Sequence, residues 1–148
     1  QHEAKMLKVD LRLIDDLIGA ERMQSNGDKV YALWDVYPHA DLVTYPSEIE
    51  GFGNAFLEAL YFKKPIVVNN YSIYETDIKP KGFAVIEIDG YVTEEAVEKT
   101  KRVLDDPKLC QKMVDRNYAL GKKYFSYTVL HRMLSHYMIE HNWLAPDR

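Results

Sequence analysis

The stretch Tyr45-Pro46-Ser47-Glu48-Ile49-Glu50-Gly51-Phe52-Gly53-Asn54-Ala55-Phe56-Leu57-Glu58-Ala59-Leu60 decides the fold: it reads as a strand end that passes through a glycine loop into a helix. Ala40 to Tyr45 is the short strand ahead of it, and Pro46-Ser47 stops that strand. Gly51 and Gly53 permit the tight path that a loop feeding a helix start requires, and they leave room for a ligand to approach. Projected at about 100° per residue from Asn54, the apolar residues Ala55, Phe56, Leu57, Ala59, Leu60, Tyr61 and Phe62 cover almost the whole helix. The polar gap is the arc shared by Asn54 and Glu58.

A helix apolar nearly all round is normally buried, so Glu58 is expected in an enclosed place where its carboxylate needs a partner, and a ligand can be that partner. Free amides at a helix start, reinforced by the helix dipole, form an anion site suited to phosphate. Glu58 sits roughly 6 Å along the axis at 1.5 Å per residue, with Glu50 on the opposite side of the loop. With a reach on the order of 10 Å, the two acceptors suit a sugar, a diphosphate and a ribose in line. Glu58 would accept from the ribose diol and Glu50 from hydroxyls of the transferred sugar.

Taken together, Pro46-Ser47, Glu50-Gly51-Phe52-Gly53, Leu57-Glu58-Ala59 and the following Lys64-Pro65-Ile66-Val67-Val68 resemble one known segment. It is the E-x7-E segment of the family-four retaining nucleotide-sugar glycosyltransferases, built from two Rossmann domains in the GT-B fold. The combination is specific, whereas a lone pair of glutamates at this spacing is not. The likeness runs from about Val9 to Tyr137 and is strongest between Pro46 and Asn69. It implies an α/β fold with a Rossmann-like parallel sheet flanked by helices, the C-terminal half of a GT-B fold lacking its first strand. It further implies Glu50 as the catalytic glutamate and Gly51, Phe52, Gly53, Asn54 and Glu58 as donor-binding residues. Ser72 and Glu75, in the loop after the next strand, complete the donor set. Family members carry a Gly-Gly-x-Pro-Glu-like turn there; this chain keeps Glu75 but has Tyr71, Ser72 and Tyr74 in place of the glycines and proline.

The implied reaction is transfer from a nucleoside-diphosphate sugar with retention at the anomeric carbon. The implied partners are that donor, a carbohydrate or small-molecule acceptor, and an N-terminal domain of the same chain. No cofactor and no metal are expected, because helix-start amides and basic residues can stabilise a departing diphosphate. The family's leading strand, with the Arg and Lys that neutralise the diphosphate, would precede Gln1. The 148 residues are therefore read as one nucleotide-sugar-binding domain cut from a longer chain, binding donor weakly and transferring nothing alone.

Composition agrees with a globular domain: 47% hydrophobic and 28% charged residues give enough apolar side chains for a core. A net charge of -4 offers no reason to propose nucleic acid, and no window approaches a transmembrane span. The single cysteine, Cys110, excludes a disulfide framework and fits a reducing cytoplasm, with membrane-peripheral attachment left open.

Along the chain, Val9 to Ile14 alternates like a strand, and Asp15 to Asp28, with Gly19, Ser25, Asn26 and Gly27, reads as a loop. By resemblance, Asp15 to Ile18 are candidates for touching the nucleotide base. Asp28 caps a predicted helix to about Tyr37, with Val30, Leu33, Trp34 and Tyr37 as its apolar stripe; Trp34 and Tyr37 are read as core. His39 is read as a solvated turn residue. Strands are predicted at Pro65 to Asn69 and Phe83 to Ile88, separated by a loop at 70–77 and a turn at Lys79-Pro80-Lys81-Gly82. Thr93 and Asp106 cap two helices, with Leu109, Cys110, Met113 and Leu120 as buried contacts of the second. Ser126 starts a final helix, placed at about 127–141. Resemblance implies that it crosses to the N-terminal domain, so without that domain its surface should be apolar and Trp143 exposed. His131, His136 and His141 are five apart and do not align as metal ligands.

Other classes remain open at this point: a sugar phosphorylase or epimerase on the same fold, a noncatalytic α/β ligand-binding or regulatory module, and a structural oligomerisation domain. A phosphorylase should show a lysine site for pyridoxal phosphate, and none is visible. A phosphoacceptor module should have an acidic pocket at a strand end, where this chain has glycine and glutamate. For an oligomerisation domain the enclosed Glu58 would be an unnecessary cost.

Overall fold

The computed structural model describes residues 2–25, 28–141 and 143, and its contacts divide the chain into Gln1–Ala40 and Asp41–Arg148. In the first unit, α1 (His2–Met6) leads into Val9 to Ile14, which is irregular and not the predicted strand. Alternation stabilises a strand only where a neighbour completes the ladder, and none pairs here; Val9, Leu11 and Leu13 stay exposed. Asp15–Leu17 forms a single 3-10 turn. The sheet of this unit has the order β1-β3-β2, from β1 (Ile18–Gly19), β2 (Met23–Ser25) and β3 (Asp28–Ala32). Antiparallel pairing of β2 with β3, from Met23↔Val30 to Ser25↔Asp28, replaces the helix expected from Asp28. Asn26 and Gly27, part of the predicted loop, lie outside the described residues. Only α2 (Leu33–Val36) and a 3-10 turn at Tyr37–His39 remain of that helix. Tyr37 is buried, whereas Trp34 is 55% exposed instead of core.

The second unit carries the α/β fold. Its sheet is parallel with the order β4-β5-β6, from β4 (Val43–Tyr45), β5 (Ile66–Asn69) and β6 (Ile86–Ile88). The register pairs Tyr45 with Val68 and Val68 with Glu87. Each crossover is helical, as parallel strands require. Between β4 and β5 runs α3 (Asn54–Tyr61); after β6 come α4 (Glu94–Asp105), α5 (Pro107–Phe125) and α6 (Tyr127–Glu140). The caps are those the sequence indicates: Thr93 accepts from the Ala96 amide, Asp106 from Lys108 and Leu109, and Ser126 from Val129.

All four residues of β5 are buried, and its three apolar residues alternate between two cores. Ile66 and Val68 join Phe56, Ala59 and Leu60 of α3 on one face, while Val67 joins Ile86, Ile88, Ala96, Val103 and Met113 on the other. The segment after β5 is not the predicted open loop. Glu75 N bonds Tyr71 O at 3.0 Å, and Tyr74–Ile78 forms a π-helical turn. Burial of Tyr71, Tyr74 and Ile78, spaced as one helical face, accounts for this. In the second core Met113 is buried and Leu109 and Cys110 are half-buried; Asn117, also buried, grips the Ala84 backbone at both its amide and its carbonyl. The outer face of α6 is apolar and exposed through Leu130, Met133, Leu134 and Tyr137, and Trp143 is 66% exposed.

Candidate functional site

The loop from β4 to α3 ends at Gly53, whose φ of 94° and ψ of 75° lie in the left-handed region. A Cβ at this position would stand 2.6 Å from the Tyr71 Oη and 3.1 Å from the Tyr45 Cε1, so both conformation and space require glycine. Gly51 differs: it is exposed, and a Cβ there would meet nothing within 4 Å. As the N-cap of α3, Gly53 has no side chain to accept from the first-turn amides, which is the feature of a helix start that can receive an anion.

The predicted residues fall on three pieces of this unit. Glu50, half-buried, and Phe52 lie in the loop; burial, and after it the Glu50 carboxylate, push up the phenol of Tyr45 at the end of β4. Asn54 is exposed in the first turn of α3, and Glu58 is half-buried one turn further on. Ser72 and Glu75 are exposed on the helical segment after β5; the Ser72 carbonyl accepts from the Thr76 hydroxyl at 3.0 Å. Phe52 and Gly53 lie against the two tyrosines, whereas the charge of Glu75 acts on Tyr74 and Lys79. Lys79 and Tyr74 meet instead at Glu87 of β6, each at 2.7 Å. Burial alone would raise the Glu87 carboxyl, but the hydrogen bonds from Lys79 and Tyr74 outweigh it and hold the group below its ordinary value.

Three contributors escaped the sequence reading. The Tyr71 hydroxyl donates to the Phe52 carbonyl at 2.9 Å, and its ring meets Tyr45 edge to face at 6.1 Å. The buried Asn69, at the end of β5, donates to the Ser47 carbonyl at 3.2 Å and accepts from the Gly90 amide at 2.8 Å, tying the loop to the end of β6. A polar residue closing an apolar strand run was the available signal for Asn69. Tyr71 and Tyr45 had none beyond their position.

In the first unit, Ile18 and Leu17 line a cavity of about 790 Å³ together with Val30, Val36, His39 and the Arg22–Asp35 ion pair. The hydrogen bond from Arg22 is the main cause holding the Asp35 carboxyl below its ordinary value. Among the described residues no group of three or more His, Cys, Asp or Glu side chains could hold a metal ion, and no helix is long and apolar enough to cross a membrane.

Comparison with known proteins gives one family and two relatives. The family described as Glycosyl transferases group 1 matches residues 20–120. The chain is 38% identical over 115 residues to the mannosylglucosylglycerate synthase of Thermotoga maritima, covering 69% of this chain and 27% of that protein. It is 34% identical over 132 residues to the mannosylglucosylglycerate synthase of Petrotoga mobilis, covering 80% of this chain and 29% of that protein. The chain thus spans less than a third of the length of these curated relatives. No solved structure matches.

Proposed function

Because the chain belongs to the group 1 glycosyl transferases, we propose that it is the donor-binding part of an enzyme that transfers a sugar from a nucleoside diphosphate with retention at the anomeric carbon. The observation that carries this reading is the left-handed Gly53 at the start of α3, a helix start with no acceptor of its own at the cap. The donor diphosphate sits on these amides. Glu58 accepts from the ribose diol, and Glu50 contacts hydroxyls of the transferred sugar. Asn54 borders the phosphate, and Ser72, next to Tyr71, lines the sugar side. Transfer needs no metal, since fixed amide dipoles take up charge on the leaving diphosphate.

The relatives' name joins mannose, glucose and glycerate. For this chain it favours a mannosyl donor and an acidic glycoside of glycerate as acceptor. The test is titration of the whole protein with uridine, guanosine and adenosine diphosphate sugars, mannose-bearing donors among them. One member of the panel is expected to bind, and Glu58→Ala is expected to weaken it by about tenfold or more through loss of charge-assisted hydrogen bonds, with the fold intact by circular dichroism. Unchanged donor affinity in that variant refutes the ribose role.

A further inference from the structure

We infer that Tyr71 is a positioning residue for the donor loop: its hydroxyl holds the main chain at Phe52, and with the ring of Tyr45 packed against it shapes the Gly53 bend. This inference rests on the proposed donor site. Four observations carry it. The Tyr71 hydroxyl donates to the Phe52 carbonyl, one residue before the helix cap. Tyr45 is paired in register with Val68 on β5, which sets its ring beside the loop. The two rings meet edge to face, and Tyr71 is 1% exposed, so its hydroxyl has little freedom to move. Finally, the missing side chain of Gly53 leaves the space that both phenols enter: an added Cβ would stand 2.6 Å from the Tyr71 Oη and 3.3 Å from the Tyr45 Oη.

The loop is therefore cast against two phenols that issue from adjacent parallel strands, one at the end of β4 and one just past β5. Burial is the main cause that pushes both phenols up to about 12, so both remain protonated donors through the neutral range. The division of labour is specific. Tyr71 acts on the backbone that presents the amides, so it governs the grip on phosphate. Tyr45 contributes its ring, which packs edge to face on Tyr71 beside the Gly53 bend.

Tyr→Phe variants of the whole protein separate these roles, because each keeps the ring and removes one hydroxyl. Without any ligand, Tyr71→Phe is expected to speed hydrogen exchange at the Phe52, Gly53 and Asn54 amides about fivefold, the loss of one hydrogen bond, while the β5 amides keep their rates. Unchanged loop exchange overturns the role of Tyr71. Titration with a nucleoside diphosphate and with the corresponding nucleotide sugar then reads the division. Tyr71→Phe weakens both about fivefold, whereas Tyr45→Phe, which keeps the packed ring, leaves both within twofold. Weakening by Tyr45→Phe as large as that by Tyr71→Phe overturns the assignment of the loop to the Tyr71 hydroxyl. If the unaltered protein binds no nucleoside diphosphate, the donor-site reading fails instead, and the exchange rates of the two variants alone decide whether the tyrosines set the loop.

Discussion

Gln1–Ala40 and Asp41–Arg148 draw on sequence of similar apolar content and bury it very differently. Among the described residues of the first unit only Ala32 and Tyr37 are buried, and Leu7, Leu13, Met23 and Trp34 each stay more than half exposed. The second unit encloses Phe56, Ile66, Val68 and Ile78 completely. Apolar side chains become a core where packed layers cover them, and β5 is covered on both faces, with its apolar residues sent alternately to opposite sides. Burying a side chain such as Phe56 contributes about 2–3 kcal/mol, and that gain is concentrated in the unit that carries the glycine loop. Stability and the candidate site thus share one scaffold, and the first unit should open at lower cost.

Four changes would break or sharpen this contrast. Phe56→Ala is expected to have the largest effect, lowering the unfolding free energy by about 3–5 kcal/mol in denaturant titration, since it empties the centre of the first core. Asn117→Ala should cost about 2–4 kcal/mol by the same measurement, because the Ala84 amide and carbonyl lose the partners that hold them at 2.7 and 2.6 Å. A third change concerns pH. Glu87 is depressed in the folded state, so its contribution is present above the unfolded carboxyl value near 4.5 and disappears as the pH falls through the lower folded value. Glu87→Gln should therefore lower Tm at pH 7, where the Lys79 pair is lost, and flatten the acid limb of a Tm against pH profile below about 4.5, so that the two proteins converge there. Leu13→Ser should be the mildest, within about 0.5 kcal/mol, because the side chain is 64% exposed. A larger loss there would mean that the first unit contributes a core of its own.

How much of this was legible beforehand follows the same division. In the second unit, the apolar run Ile66 to Asn69, the glycine loop, and the caps Thr93, Asp106 and Ser126 each had a local signal with a definite structural meaning, and the corresponding elements lie where those signals put them. Local signals competed in the first unit. Val30, Leu33, Trp34 and Tyr37 have helical spacing, yet Lys29-Val30-Tyr31 also suits a strand, and pairing with Met23 to Ser25 settled the matter. The Asn26-Gly27 dipeptide, typical of short hairpin connections, was the sequence sign that favoured it. At the site, the glycines and glutamates were visible because their chemistry is unusual for a loop. The tyrosines were not, because a hydroxyl aimed at a main-chain carbonyl has no spacing of its own in the sequence. The helical path of Tyr71 to Ile78 was readable from three apolar residues on one face, but turn-like Asn69-Asn70 and Ser72 masked it.

Asn69 has a consequence for how such a protein can diversify. Its one carboxamide fastens Ser47, two residues after β4, and Gly90, two residues after β6, to the tip of β5, so three connections share a single rivet. Grafting any one of these connections from a relative with another sugar preference would shear the joint unless the other two were moved with it. Changes of specificity on this scaffold should therefore come either as block exchanges of the whole rim or as point changes at residues that leave the rivet alone.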